Sequence, residues 1–273
     1  MNRKSQSLLL HFVLIAGGLL TLFPLLWMLS ASFMSNGEST TFPPHLVPHT
    51  ATLDQYRQLF LRLDIGKAFL NSAIVAVTVT VSSVLFGSMA GYAFAKLRFG
   101  GRDRMFGILL TAIIVPPQVG MLPLFLLMKS LHLVNTYWGV IIPSMVTVFG
   151  IFLIRQFMLS VPQELLEAAR IDGASEWRIY WSVVLPLARP ILATLATFMF
   201  MSTWNDFMWP LIILSNQSHH TLPVALANLL GEHVLDVELM MAGSVVTVLP
   251  VLILFLVLQR YYIAGLMVGS VKG

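Results

Sequence analysis

Hydrophobic and polar positions along this chain fall into long blocks, and six of the blocks are apolar. Each apolar block is longer than the roughly 20 residues that a helix needs to span the hydrocarbon core of a membrane. The pattern therefore predicts an all-α integral membrane protein with six transmembrane helices. The six blocks are residues 8–33, 68–95, 105–128, 137–159, 191–214 and 239–262.

The first block is the one that a cleaved signal peptide would resemble. It contains no Asp, Glu, Lys or Arg. The apolar region of a signal peptide is only about 7–15 residues long, so this longer block is predicted to remain as the first span. The predicted organisation is a tail, first span and outer loop over 1–67, a transport domain of five helices over 68–263, and a C-terminal tail over 264–273.

Prolines and glycines mark special positions within these blocks. Pro116, Pro117 and Pro123 predict that the third block is a broken helix, because proline removes a backbone donor and clashes with the preceding turn. Such breaks are tolerated at membrane depth where they are buried in protein or line a cavity. The third block is therefore either a kinked packing element or part of a transport path. Gly87 and Gly91 predict close packing of the second block against another helix.

Composition strengthens the membrane assignment. The chain is 57% hydrophobic and only 10% charged, whereas soluble domains carry about 25% charged residues. It has no cysteine, which excludes disulfides, thiolate metal sites and cysteine nucleophiles. No phosphate-binding loop motif is present, so the chain is not predicted to hydrolyse nucleotide itself.

Lysine and arginine are distributed unevenly between the two sides that six spans define. Twelve of the sixteen lie on the side of the two termini and four on the other side. Cytoplasmic loops carry such an excess. Both termini are therefore predicted to lie in the cytoplasm, at the cytoplasmic (inner) membrane. The same distribution accounts for the net charge of +4 without a nucleic-acid partner.

The polar interval 160–190 lies between the fourth and fifth blocks. Its pattern predicts two short helices joined by a turn at Gly173, a residue suited to a left-handed cap. Ser160 and Gln163 are predicted to form a capping box for the first helix, and Ser175 to cap the second. The first helix, Gln163 to Ile171, is expected to carry a small apolar face. That face would consist of Leu165, Leu166, Ala168 and Ala169.

Catalytic chemistry finds little support in the sequence. Adjacent His219 and His220 do not share a helix face and have no carboxylate at metal-ligand spacing, so no metal site is predicted. Glu164 and Glu167 are flanked by arginines on a surface helix, which favours a solvated or docking face over acid–base work.

Asp206 is the only carboxylate inside an apolar block, where a charge is costly and usually faces a cavity or a partner. It is flanked by Trp204, Asn205 and Trp209, and we predict that it lies in the outer half of the fifth span. Indole rings beside polar acceptors suit a sugar. The alternative is an interfacial aromatic belt with a polar pair that bonds between helices. Gln118 and Asn71 are further candidates for the substrate path.

Three segments carry a family resemblance. The pattern Glu167-Ala168-Ala169, Gly173 and Val183-x-Leu185-Pro186 resembles the EAA signature of permease subunits in binding-protein-dependent ABC importers, in which isoleucine usually stands at the position of Val183. EAARIDGAS, WNDFMWPLIIL and the C-terminal QRYYIAGLMVGSVKG are similar to the carbohydrate-uptake group, including maltose and glycerol-3-phosphate permeases.

The resemblance implies a type I ABC importer transmembrane domain, with a cytoplasmic coupling helix between helices 4 and 5. It also implies a second homologous permease subunit, two ATPase subunits that bind ATP-Mg, and an extracytoplasmic solute-binding protein. This chain itself would bind no cofactor. The substrate implied is a sugar or related polyol. We predict that it is uncharged, because no basic residue is expected inside a span and Asp206 is. The coupling residues implied are Glu164, Glu167, Ala168, Ala169, Asp172, Gly173, Leu185 and Pro186.

Two other classes compete with this interpretation. An ion-coupled secondary transporter of a small polar solute should show inverted repeats and several ion-coupling carboxylates. Only one intramembrane acid and no repeat are evident in the sequence. A membrane enzyme would need a nucleophile and a base, and the sequence offers no such pair.

Overall fold

The computed structural model describes residues 3–231 and 236–268, and every regular element within these ranges is helical. Short 3₁₀ helices cover Ala112–Ile114 and Gln217–His219, and a π-helix covers Tyr180–Val184. The α-helices are α1 Arg3–Ala31, α2 Asp54–Leu63, α3 Ile65–Lys96, α4 Arg102–Thr111, α5 Pro117–Ser130, α6 Tyr137–Ser144, α7 Val148–Ser160, α8 Gln163–Ile171, α9 Glu176–Ile179, α10 Leu185–Leu187, α11 Arg189–Trp204, α12 Met208–Ile213, α13 Leu222–Gly231 and α14 Val237–Val268.

Among the described residues, four stretches are long and apolar enough to cross a membrane: Gln6–Ala31, Ile65–Lys96, Tyr137–Ser160 and Val237–Gln259. Two bent pairs raise the number to six if each pair is counted as one span. Arg102–Ile114 meets Pro117–Ser130 at 104°, and Glu176–Leu187 meets Arg189–Trp204 at 79°. The predicted all-α membrane class is confirmed, and the count of six spans stays a prediction.

The breaks in the helices have identifiable causes. The third block bends where α5 begins at Pro117, as its prolines predicted. The fourth block divides into α6 and α7, and Thr147 caps α7 by accepting a hydrogen bond from Gly150 N at 3.1 Å. Polar caps of this kind satisfy backbone groups that a break would otherwise leave unpaired.

The fifth block, 191–214, is not one continuous helix. Helix α11 ends at Trp204, and α12 begins only at Met208. Pro210 explains the break, because in an uninterrupted helix its ring would clash with the carbonyl of Asp206. The sixth block also differs, since α14 runs from Val237 to Val268 and so beyond the predicted end at residue 262. Residues 269–273 of the predicted tail lie outside the described residues.

The chain forms two compact units. One comprises residues 1–67 and 225–250 and includes α1, whose apolar side chains, such as Leu8 and Leu20, are 73% and 75% exposed. Within this unit the Glu238 carboxylate accepts hydrogen bonds from Ser39 N at 2.8 Å and Ser39 Oγ at 2.7 Å. This contact joins the long segment between α1 and α2 to the start of α14.

The other unit, residues 68–224 with 251–273, contains the main apolar core. Buried side chains from α3, α7, α8 and α11 meet in one cluster, including Val79, Ile154, Leu166 and Leu195. The approach of α3 to α7 is close at Gly91, as the glycine spacing predicted. A Cβ atom on Gly91 would lie 2.7 Å from Ile154 Cβ.

We expect Gly91→Ala to destabilise the protein by about 1–3 kcal/mol, because the added methyl group overpacks the contact with Ile154. Gly107→Ala is the matched control, since Gly107 is also helical and a Cβ there meets nothing within 4 Å. Thermal unfolding of the detergent-solubilised protein should show a lower midpoint for Gly91→Ala and an unchanged or higher one for Gly107→Ala. Equal midpoints for the two variants would contradict the close α3–α7 contact.

Candidate coupling surface and transport path

Helix α8 has one buried side and one exposed side. Leu166 is 1% exposed, and Ala169 packs against the same core. Glu164, Glu167 and Ala168 are exposed on the other side. Ile171 and Leu165 also lie open, at 86% and 46% exposure. The predicted single apolar face is therefore wrong, because Leu165 and Ala168 lie on the outer side together with the two carboxylates.

A Schellman motif ends α8. Gly173 has φ of +79°, and its N–H donates to Arg170 O at 3.0 Å. The N–H of Ala174 donates to Ala169 O, also at 3.0 Å. This pair of bonds satisfies the last carbonyls of the helix. The predicted left-handed cap is confirmed, and exposed Asp172 occupies the turn just before it.

The two predicted serine caps have different outcomes. Ser160 is the last residue of α7, and its hydroxyl donates to Phe157 O at 2.7 Å, so the predicted capping box with Gln163 is wrong. The reason is that α7 runs on to Ser160 and the hydroxyl reaches back into that helix. Ser175 does cap α9, because its Oγ accepts from Arg178 N at 3.3 Å.

An ion pair links α8 to α9. Arg170 Nε donates to Glu176 Oε1 at 2.6 Å. This hydrogen bond to the carboxylate raises the pKa of the Arg170 guanidinium above its ordinary value. The turn at Gly173 is thus held on both sides, by the Schellman bonds within it and by the ion pair across it.

Leu185 and Pro186 begin α10. They line a cavity of about 670 Å³ together with residues of α3 and α11. The lining is mostly apolar, with polar groups from Thr80, Ser88 and Arg189. The structure therefore places Leu185 and Pro186 of the EAA-like pattern beside a cavity, and Glu167 and Ala168 on the outer face of α8.

The residues around Asp206 pack within the chain. Trp204 is 1% exposed and stacks on Phe200 with ring centroids 5.5 Å apart. Trp209 is 6% exposed, and its indole N–H donates to Gly139 O at 3.1 Å. Asp206 Oδ1 accepts from Trp209 N at 3.4 Å. Both indoles thus occupy packing positions in this chain, and neither presents an open ring face.

The remaining path candidates are dispersed. Asn205 is exposed and donates to Met201 O at 2.8 Å. Asn71 is 4% exposed and accepts from the Tyr137 hydroxyl at 2.7 Å, while its amide group donates to backbone carbonyls. Gln118 lies exposed at the start of α5. Within the described residues, no hydrogen bond joins Asn71 or Gln118 to Asp206.

Arg155 is a basic residue within the Tyr137–Ser160 span, so the expectation that no basic residue lies inside a span is wrong. Its guanidinium carbon lies 4.0 Å from the centroid of the Phe106 ring, and its Nε donates to Phe94 O at 3.3 Å. A cation over a ring face, with a carbonyl acceptor, is partly compensated for leaving water. Arg155 Nη2 also lies 3.9 Å from Asp103 Oδ1, so the charge of Arg155 is engaged by groups of neighbouring helices.

The helices, their bent pairs and the exposed face of α8 define a multi-pass helical membrane protein. Residues 83–267 match the family described as binding-protein-dependent transport system inner membrane component. The chain belongs to this family.

Relatives and a solved structure extend the match over the whole chain. The arabinooligosaccharides transport system permease protein AraQ of Halalkalibacterium halodurans is 41% identical, with 100% of both chains covered. The lactose transport system permease protein LacG of Rhizobium radiobacter is 31% identical over 100% of this chain and 98% of its own. The crystal structure of a bacterial ABC transporter involved in import of the acidic polysaccharide alginate aligns with a TM-score of 0.83 and 27% identity. It covers 96% of this chain and 99% of its own.

We expect Gly173→Val to weaken the α8 turn, because a left-handed backbone costs a non-glycine residue about 1–2 kcal/mol and a β-branched residue more. Space is not the cause, since a Cβ on Gly173 would meet nothing within 4 Å. Gly173→Asn is the control, because asparagine tolerates this conformation. Hydrogen exchange of the amides of Gly173 or its replacement and Ala174 should accelerate in the valine variant and change little in the asparagine variant. Equal protection in both variants would refute the role given to the backbone.

Proposed function

We propose that this chain is a permease subunit of an ATP-driven ABC importer that carries an uncharged oligosaccharide or related polyol by alternating access. The observation that carries the proposal is the two-sided burial of α8. This short helix packs against the core through Leu166, and its opposite side is exposed to solvent. Its outer side bears the Glu167 and Ala168 of the EAA-like pattern. A rigid helix of this kind can bind another subunit and be displaced by it as one body.

The family assignment supports the proposed partners. A binding-protein-dependent system needs a solute-binding protein, and an importer of this class joins two permease subunits to two ATPase subunits. ATP and Mg²⁺ would bind to the ATPase subunits, since this chain contains no phosphate-binding loop motif. Charge distribution supports placing α8 and both termini in the cytoplasm, where an ATPase would meet them.

Transmission into the membrane would follow the chain. Helix α8 is preceded by α7 and followed through α9 and α10 by α11. A displacement of α8 on ATP-driven closure would therefore act on two membrane helices at once. The buried side of α8 transmits this displacement, because a helix packed at Leu166 and Ala169 cannot move without moving its neighbours.

Substrate class rests on the relatives and on the charges. AraQ and LacG are named for an oligosaccharide and a disaccharide. Arg155 is engaged with Phe94 and Phe106, so its own charge is not offered to a solute. Asp206 supports an uncharged solute over an anionic one, although Arg189 lies in the cavity lining. The cavity beside α3 and α11 is the candidate inner part of the path, and Asn205 and Asp206 are candidates for its outer part.

The direct test is reconstitution of the complete transporter in liposomes with its binding protein. Uptake of arabinotriose, lactose and glycerol 3-phosphate is measured together with ATP hydrolysis. We expect ATP-dependent uptake of a neutral sugar and little uptake of the phosphate ester. Uptake that persists without the ATPase subunits and collapses with the proton gradient would overturn the proposal in favour of a secondary transporter. Preferred uptake of glycerol 3-phosphate would overturn the uncharged substrate.

We expect Glu167→Arg to weaken binding of the ATPase subunits, because it reverses a charge on the exposed side of α8. Loss of a hydrogen bond to a charged group typically costs about 1.5–3 kcal/mol. Asp54→Arg, the same reversal on exposed residue Asp54 of α2, is the control. The fraction of ATPase that co-purifies with the membrane subunits should fall at least tenfold for the first variant and stay constant for the second. Undiminished co-purification of Glu167→Arg would remove this residue from the coupling surface.

A further inference from the structure

Three polar side chains follow one face of α3 near its C-terminal end. Ser88, Tyr92 and Lys96 are spaced by four residues, which places them one above another on a helix. Each makes a hydrogen bond to the segment that surrounds α8. Ser88 Oγ lies 2.7 Å from the Tyr180 hydroxyl, Tyr92 OH donates to Glu176 Oε2 at 2.7 Å, and Lys96 Nζ donates to Val161 O at 2.6 Å.

Glu176 is the centre of this arrangement because both of its oxygens are used. One oxygen accepts from Tyr92 on α3, and the other accepts from Arg170 in the last turn of α8. The Tyr92 side chain is 4% exposed, so its hydroxyl is held at this contact by packing around the ring. A single carboxylate therefore joins the end of α8 to a buried residue of α3.

The position of α3 in the chain gives this junction its significance. Helices α7 and α11 lie next to α8 along the chain, whereas α3 is far from it in sequence. Motion of α8 can therefore reach α3 only through non-covalent contacts. Helix α3 also provides Thr80, Val84 and Ser88 to the wall of the 670 Å³ cavity. Any displacement of α3 relative to α11 would change the shape of that cavity.

We propose that Arg170, Glu176 and Tyr92 are positioning residues that transmit a displacement of α8 to α3. The part of α3 that lines the cavity would then move together with α8. This inference rests on the proposed function, because the displacement of α8 would come from ATP-driven closure of the ATPase subunits. The triad transmits displacement and binds neither substrate nor nucleotide. A charged hydrogen bond suits this task, since it is directional and stronger than a neutral one.

The test is the ratio of ATP hydrolysed to arabinotriose imported by the reconstituted complex with its binding protein. Tyr92→Phe removes only the hydroxyl and keeps the buried ring. We expect the ratio to rise about tenfold, the factor that corresponds to the loss of one hydrogen bond to a charged group. Glu176→Gln breaks the ion pair with Arg170 and should change the ratio in the same direction. The double variant should add little to either single change, because both residues lie on one route.

Tyr56→Phe is the matched control. It also removes only a tyrosine hydroxyl, which lies 2.8 Å from Ser32 Oγ, and neither residue belongs to the path candidates or to the segment around α8. The control should leave the ratio unchanged. If hydrolysis and uptake fall equally in Tyr92→Phe and Glu176→Gln, so that the ratio stays constant, the contacts have only a structural role and the inference is overturned. So would failure of both variants to assemble. Absence of ATP-dependent uptake by the unmodified complex would instead overturn the proposed function itself.

Discussion

The contact of α8 with the helical core is the interaction on which the rest of the account depends. Leu166 is almost fully buried beneath α8, while Ile171 is 86% exposed on the same helix. An isolated helix of nine residues is marginal in water. Packing on one side therefore stabilises α8, and the Schellman motif at Gly173 fixes where it ends. Together they produce a small rigid body with a free outer face.

Hydrogen bonding governs the membrane part. Backbone N–H and C=O groups in hydrocarbon must form hydrogen bonds within the protein. Each break in a helix therefore needs nearby hydrogen-bond partners for the groups it leaves unpaired. Thr147 supplies one at the start of α7, and Asp206 supplies another at the start of α12. The Asp206 carboxylate, which the sequence pattern suggested as a sugar ligand, thus has a structural partner in the backbone of Trp209. Its half-buried position still leaves it available as a path candidate beside exposed Asn205.

Local features could be predicted from the sequence, and long-range contacts could not. The bounds of α8, the left-handed Gly173 and the Ser175 cap follow from propensity and turn chemistry, which act over a few residues. The prediction that Ser160 caps α8 was wrong because α7 continues to that residue, and tertiary packing determines where α7 ends. Trp204 and Trp209 carried a pattern shared by sugar sites and packed cores, and only their burial separates the two. The Tyr92–Glu176 contact joins positions far apart in the chain, for which a single sequence gives no signal.

The central claim is that the outer face of α8 is the cytoplasmic docking surface for an ATPase subunit. A photo-reactive amino acid at Ile171 tests it directly, with the same group at Phe42, 99% exposed in the loop after α1, as reference. Irradiation of the assembled transporter followed by mass spectrometry identifies the partner of each site. The account predicts an adduct with the ATPase subunit from position 171 and none from position 42. An ATPase adduct from position 42, or its absence from position 171, would contradict it.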